Sequence, residues 1–83
     1  MKIIKITSLG CLSCILINNT LEKILENYKV HVTEIDYDFD YCPYEVGNIL
    51  PVLIFADENG KELSRLTGES SYEEIEKEIK KYK

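Results

Sequence analysis

An α/β fold is predicted: a four-stranded mixed sheet with helices packed on it, in the order strand, helix, strand, short loop or helical turn, strand, strand, helix. Three observations predict it. A strand-like run, Lys2-Ile3-Ile4-Lys5-Ile6-Thr7, leads through Ser8-Leu9-Gly10 into a helical pattern and then a second β-rich run. A continuous apolar run led by proline, Pro51-Val52-Leu53-Ile54-Phe55-Ala56, is followed by Asn59-Gly60 and a returning run. The chain then closes on apolar residues at helical spacing. With 83 residues there is room for one modest core, so residues 1–83 are expected to form one domain.

The first run is rich in β-branched side chains and bounded by turn residues, which is strand composition. After it, Ile17, Leu21, Ile24, Leu25 and Tyr28 recur at helical spacing, with Asn18, Asn19, Glu22, Lys23 and Glu26 on the other side. The spacing predicts a helix from about Leu12 to Tyr28. Val30 to Asp36 reads as the second strand, joined to the first by a right-handed parallel crossover. His31, on that alternating strand beside Glu34, is read as a surface residue. Tyr37 to Asn48 has no sustained periodicity and is read as a solvated loop with one short helical turn starting near Pro43. Its aspartates lack the spacing of a calcium-binding EF-hand loop.

The Pro51-led run is expected to be a central strand covered on both faces, with proline tolerated at its first residue because the missing N–H lies outside the ladder. Asn59-Gly60 is a strong hairpin signal, since both residues accept positive φ. Lys61 to Thr67 then returns as a charged edge strand. Ser70-Ser71-Tyr72-Glu73 offers a capping box, and Tyr72, Ile75, Ile79 and Tyr82 carry a helix from about Ser71 to Tyr82. Glu73 and Glu74 near its start, with Lys80, Lys81 and Lys83 near its end, complement the helix dipole.

Charge and composition exclude several classes of function. The net charge of −5, with no lysine or arginine stripe, argues against nucleic-acid binding, because a phosphate backbone would be repelled. There is no apolar run long enough to cross a bilayer and no basic segment followed by an apolar stretch and a cleavage site, so a cytoplasmic, monomeric protein is expected. Three cysteines exclude a fully paired disulfide framework. Cys42 is the odd one, open to reading as a free thiol, a third metal ligand or an auxiliary redox cysteine.

The chemistry resides in Gly10-Cys11-Leu12-Ser13-Cys14. Two cysteines three residues apart at a helix start lie on one side of the first turn, within reach of disulfide geometry. The unsatisfied N–H groups and positive end of the helix dipole favour thiolate there. Cys11, just outside the helix, is the more exposed and is assigned as nucleophile, with Cys14, inside the first turn, as the resolving thiol. The same pair also suits half of a zinc site, a copper(I) site or buried packing. A strand–helix–strand context favours redox chemistry.

The order of elements around this motif resembles the thioredoxin superfamily in its minimal, glutaredoxin-like form. The resemblance covers nearly the whole chain. Lys2 to Cys14 is similar to the start of a glutaredoxin, where a short strand leads straight to the motif, and Ile49-Leu50-Pro51-Val52-Leu53-Ile54-Phe55 resembles the family's cis-proline segment. The resemblance implies a cis Leu50–Pro51 bond, a turn facing the two cysteines and substrate docking on the backbone of Leu50. Proline suits such a place, because its cis form is accessible and it presents no N–H to nearby sulfur. It further implies a thiol–disulfide oxidoreductase serving electron transport and cell redox homeostasis, with no cofactor and no metal. Its partners would be disulfide-containing proteins and, as reductant, a thioredoxin-reductase-like enzyme or a small thiol.

This sequence departs from the family in four places. It has no tryptophan, Gly10 precedes the motif, and Leu12-Ser13 stands inside it where thioredoxins carry Gly-Pro. The buried aspartate that thioredoxins place six residues before the first cysteine is replaced by Lys5. Leu66-Thr67-Gly68-Glu69-Ser70 matches the glutathione-reading turn of glutaredoxins only in part. Two other functions are compatible with the motif: a soft-metal carrier for copper(I) or zinc, whose known domains finish on a strand rather than a helix, and a redox-inert thioredoxin-like adaptor.

Overall fold

A computed structural model describes residues 1–8 and 12–82. Six elements follow one another: β1 (Lys2–Thr7), α1 (Leu12–Asn27), β2 (His31–Asp36), β3 (Val52–Ala56), β4 (Glu62–Thr67) and α2 (Tyr72–Tyr82). The sheet order is β2-β1-β3-β4. β1 pairs with β2 in parallel and with β3 antiparallel, and β3 pairs antiparallel with β4. The mixed α/β architecture is thus the expected one. Element ends differ from the sequence reading by one residue, as at Tyr28, whose N–H still bonds the Ile24 carbonyl at 2.8 Å. Lys83 lies outside the described residues.

β3 is buried along its whole length, as its unbroken apolar run requires of a strand covered on both faces. Alternation along β1 and β3 divides the core in two. Ile3, Leu53 and Phe55 face Ile17, Leu21 and Ile24 of α1 and Ile75 and Ile79 of α2, so both helices lie on one face of the sheet. Ile4, Ile6, Val52, Ile54 and Ala56 face the other way. The two helices are tied beyond their apolar contact: the Tyr28 hydroxyl donates to Glu76 Oε2 at 2.5 Å, and Asn27 Nδ2 donates to the Tyr72 hydroxyl at 3.0 Å. The hydrogen bond to the Glu76 carboxylate is the main reason the Tyr28 phenol is pushed up to about 12.

The second face is closed by the segment expected to be a solvated loop with a helical turn. No helix forms over residues 37–51. Cys42, Tyr44, Val46 and Leu50 pack instead on the second apolar cluster, while Tyr41, Pro43, Glu45 and Gly47 between them are exposed. The Tyr44 hydroxyl donates to the Gly60 carbonyl at 2.7 Å, and Arg65 Nη1 donates to the Glu45 carbonyl at 2.6 Å. Arg65 also makes a paired contact with Glu62, at 2.6 and 2.7 Å, which lowers the Glu62 carboxyl from its ordinary value.

The hairpin between β3 and β4 differs from the expected two-residue turn. Gly60 has φ of +85°, but no non-glycine residue among those described has positive φ, so Asn59 does not take the left-handed conformation. Asp57 explains the difference. Its carbonyl accepts from Gly60 N–H at 3.0 Å, while its carboxylate oxygen accepts from the N–H groups of Asn59 and Lys61, each at 2.9 Å. A side chain that satisfies two loop donors stabilises a longer turn.

At the start of α2 the capping box forms one residue later than the Ser70–Glu73 spacing offers: Ser71 Oγ accepts from Glu74 N–H at 3.2 Å and the Glu74 carboxylate accepts from Ser71 N–H at 3.1 Å. Ser71→Ala is expected to cost about 1 kcal/mol of stability, the usual worth of such a cap. Urea unfolding checks this, and no loss would mean that α2 is held by its Ile75 and Ile79 contacts alone. Among the described residues no helix is long and apolar enough to cross a membrane.

Candidate functional site

The register of the sheet sets the end of β1 beside the start of β3. Ile6 pairs with Val52 and Thr7 pairs with Asp36, so β1 ends where β3 begins. Ser8, directly after β1, and Pro51, directly before β3, therefore share that edge. Cys14 lies in the first turn of α1 with 5 % of its surface exposed, and its sulfur is held in a disulfide. Gly10 and Cys11, the latter assigned as nucleophile from the sequence, lie outside the described residues.

On the β3 side the Leu50–Pro51 peptide is cis, as the family resemblance implies. Pro51 is buried and Leu50 half-buried. The Pro51 carbonyl accepts from Gly68 N–H at 2.8 Å. Gly68 needs to be glycine: its φ is +82°, and a Cβ there would sit 3.3 Å from Ile49 Cγ2. The turn that only partly matches a glutathione-reading loop thus braces the segment leading into Pro51. Ile15, Leu16 and Ile49 are large apolar side chains left half or more exposed, and two of them belong to the first turns of α1.

One charged group enters this region that the sequence reading left out of the site. Lys5 is only 9 % exposed. Its ammonium donates to Asn18 Oδ1 and pairs with Glu34 Oε2 at 2.6 Å. Asn18 follows Cys14 by four residues on α1, so the two share a helix face. A lysine between Ile4 and Ile6 in an otherwise apolar run is the signal. Read alone it looked like an ordinary polar alternation.

The remaining candidates lie elsewhere. Cys42 is a free, half-buried cysteine on the face of the sheet opposite the helices, with its Sγ donating to the Tyr44 carbonyl at 3.3 Å. His31 is exposed at the start of β2. Asp36 and Asp40 serve local turns, accepting from Asp38 N–H at 3.0 Å and Asp36 N–H at 2.9 Å. Burial raises the Tyr44 phenol above its ordinary value. Among the described residues no group of three or more His, Cys, Asp or Glu side chains is placed to hold a metal ion.

No protein-family model and no curated sequence matches this chain. Solved structures do. The reduced thioredoxin pre-protein of Schistosoma mansoni superposes with a TM-score of 0.77 at 19 % identity, over 99 % of this chain and 78 % of its own. Thioredoxin-2 of the malaria parasite, described as a component of its protein secretion machinery, gives 0.76 at 18 % identity over 96 % of this chain and 81 % of its own. Thioredoxin 1 of Thermosipho africanus gives 0.70 at 20 % identity over 99 % and 93 %. The four-stranded mixed sheet with its two helices therefore has the thioredoxin fold.

Proposed function

We propose that this protein is a small thiol–disulfide oxidoreductase that reduces protein disulfides through Cys11 and Cys14. The observation that carries this reading is Cys14, buried in the first turn of α1 with its sulfur in a disulfide, in a chain that enters β3 through a cis Leu50–Pro51 bond.

In the proposed reaction the Cys11 thiolate attacks one sulfur of a substrate disulfide, forming a mixed disulfide and releasing the other substrate sulfur as thiolate. Cys14 then attacks the Cys11 sulfur, and the second substrate thiolate leaves. Two electrons pass from the cysteine pair to the substrate, whose thiolates take up protons from solvent. No cofactor is required, because the two sulfurs carry both electrons. A thioredoxin-reductase-like enzyme or a small thiol returns the pair to the dithiol. Leu50 offers backbone to an extended substrate strand, and exposed Ile15, Leu16 and Ile49 offer apolar contact beside it. We place the protein in the cytoplasm, as a monomeric single domain, where a reducing milieu sets the direction.

The test is trapping. Cys14→Ser, mixed with a disulfide-bonded protein, is expected to accumulate a covalent adduct through Cys11 that a small dithiol releases. An adduct mapped to Cys42, or none at all, would contradict the assignment.

A further inference from the structure

We propose that Lys5 is a buried counter-charge to the Cys11–Cys14 pair: its ammonium stabilises the thiolate that remains when the disulfide opens, making the pair a stronger oxidant than a neutral residue at position 5 would. This inference rests on the dithiol reading above and adds to it the group that sets the pair's redox poise.

Lysine is almost never buried unless it is paired, and Lys5 is 9 % exposed. Side chains alternate across a strand, so Lys5 shares its face with Ile3, which belongs to the helix-side core, while Ile4 and Ile6 belong to the other. Its register partner on β3, Leu53, is fully buried in that same helix-side core. The lysine stem therefore runs between sheet and α1, and its ammonium ends on Asn18 of α1 and Glu34 of β2. Helical side chains lean toward the N-terminus of their helix, so the Asn18 amide lies over the turn that carries Cys14. The ammonium that it holds is thereby on the side of α1 that carries Cys14.

The pairing with Glu34 does not cancel this charge. The Lys5 side chain is 11 % exposed and that of Glu34 57 %, so the carboxylate is the better hydrated partner and its field is the more strongly screened. Nor does packing call for a cation here, since replacing buried ion pairs by apolar groups is often neutral for stability. The positive end of α1 adds to the field with the same sign.

The direction of the effect follows from charge balance. Opening the disulfide takes two electrons from a reductant such as a small dithiol. One sulfur takes a proton from water and the other is left as thiolate, whereas the disulfide carries no charge. Lys5 therefore favours the reduced side only.

The experiment equilibrates the full chain with a defined dithiol–disulfide buffer at neutral pH and measures the Cys11–Cys14 disulfide by alkylation and mass spectrometry. In Lys5→Met the equilibrium is expected to shift about tenfold toward the disulfide, equivalent to about 30 mV. Lys5→Arg keeps the wild-type value, and Glu34→Gln, which removes the partly compensating anion at the surface, shifts at least about twofold the opposite way. Opposed shifts from the two partners are a signature that a merely structural lysine does not give. If Lys5→Met fails to fold, Glu34→Gln decides. A folded Lys5→Met within about twofold of wild type, or a Glu34→Gln shift of zero or of the same sign as Lys5→Met, overturns the inference while leaving the dithiol reading intact. A wild-type chain that never forms the Cys11–Cys14 pair overturns both.

Discussion

Replacing Cys11 by serine is expected to lower disulfide reductase activity by at least about a thousandfold, the scale of loss when a covalent nucleophile is removed. A serine hydroxyl at neutral pH has almost no alkoxide, and the sulfur–sulfur exchange that a thiolate performs has no oxygen counterpart. Cys42→Ser provides the contrast. Its thiol packs on the opposite face of the sheet and bonds the Tyr44 carbonyl, so turnover is expected to stay within about twofold of wild type, as for a site with no part in the exchange. Steady-state reduction of a disulfide-bonded protein by a dithiol, followed for the two variants side by side, checks both. Equal activity in Cys11→Ser and wild type would show that the cysteine pair does not carry the reaction.

The largest effect on stability is expected at Phe55. It is the largest fully buried side chain among the described residues, paired with Ile3 of β1 and packed in the core with both helices. Phe55→Ala should cost about 3–5 kcal/mol, the transfer free energy of the ring together with the cavity left behind. A domain of this size has roughly 4–12 kcal/mol in total, so the variant is expected to populate unfolded states at ordinary temperature. Phe55→Leu, which keeps most of the volume, should lose less than about 1.5 kcal/mol. Urea unfolding measured by circular dichroism distinguishes them. A loss below about 1 kcal/mol in Phe55→Ala would mean that the helix-side core repacks around position 55.

Much of this structure was legible before folding because the strong patterns were local. The β-branched run Lys2–Thr7, the five apolar residues of β3 and the helical spacing of Ile75 and Ile79 each specify an element with little help from the rest. The segment from Tyr37 to Leu50 was not legible in that way. It makes no ladder and no helix, yet its Cys42, Tyr44, Val46 and Leu50 pack on the second apolar cluster, and its signal is the alternation of Cys42, Tyr44 and Val46 with exposed neighbours. That period was hidden by the surrounding aspartates and tyrosines. The hairpin was placed correctly but given the wrong turn, because Asp57 supplies through its side chain what positive φ at Asn59 was expected to supply.

The candidate site divides along the same line. The cis Leu50–Pro51 bond and the helix-start position of Cys14 follow from motif and order, and each is found in the structure. Lys5 was noticed as a replaced aspartate and not as a member of the site. Its role depends on Asn18 and Glu34, residues distant in sequence that only the parallel crossover brings to it. A charge buried by tertiary contact leaves no periodic trace.

The measurement that bears most directly on the proposed chemistry is a redox titration of the metal-free wild-type protein against a dithiol buffer, with peptide mapping of the cysteines that pair. The account predicts a reversible Cys11–Cys14 disulfide with a potential of roughly −300 to −200 mV, the range that spans thioredoxins and glutaredoxins, and Cys42 unpaired throughout. A pair that does not form, or one that joins Cys42 instead, would contradict it, and titration with copper(I) and zinc would then be the experiment to run.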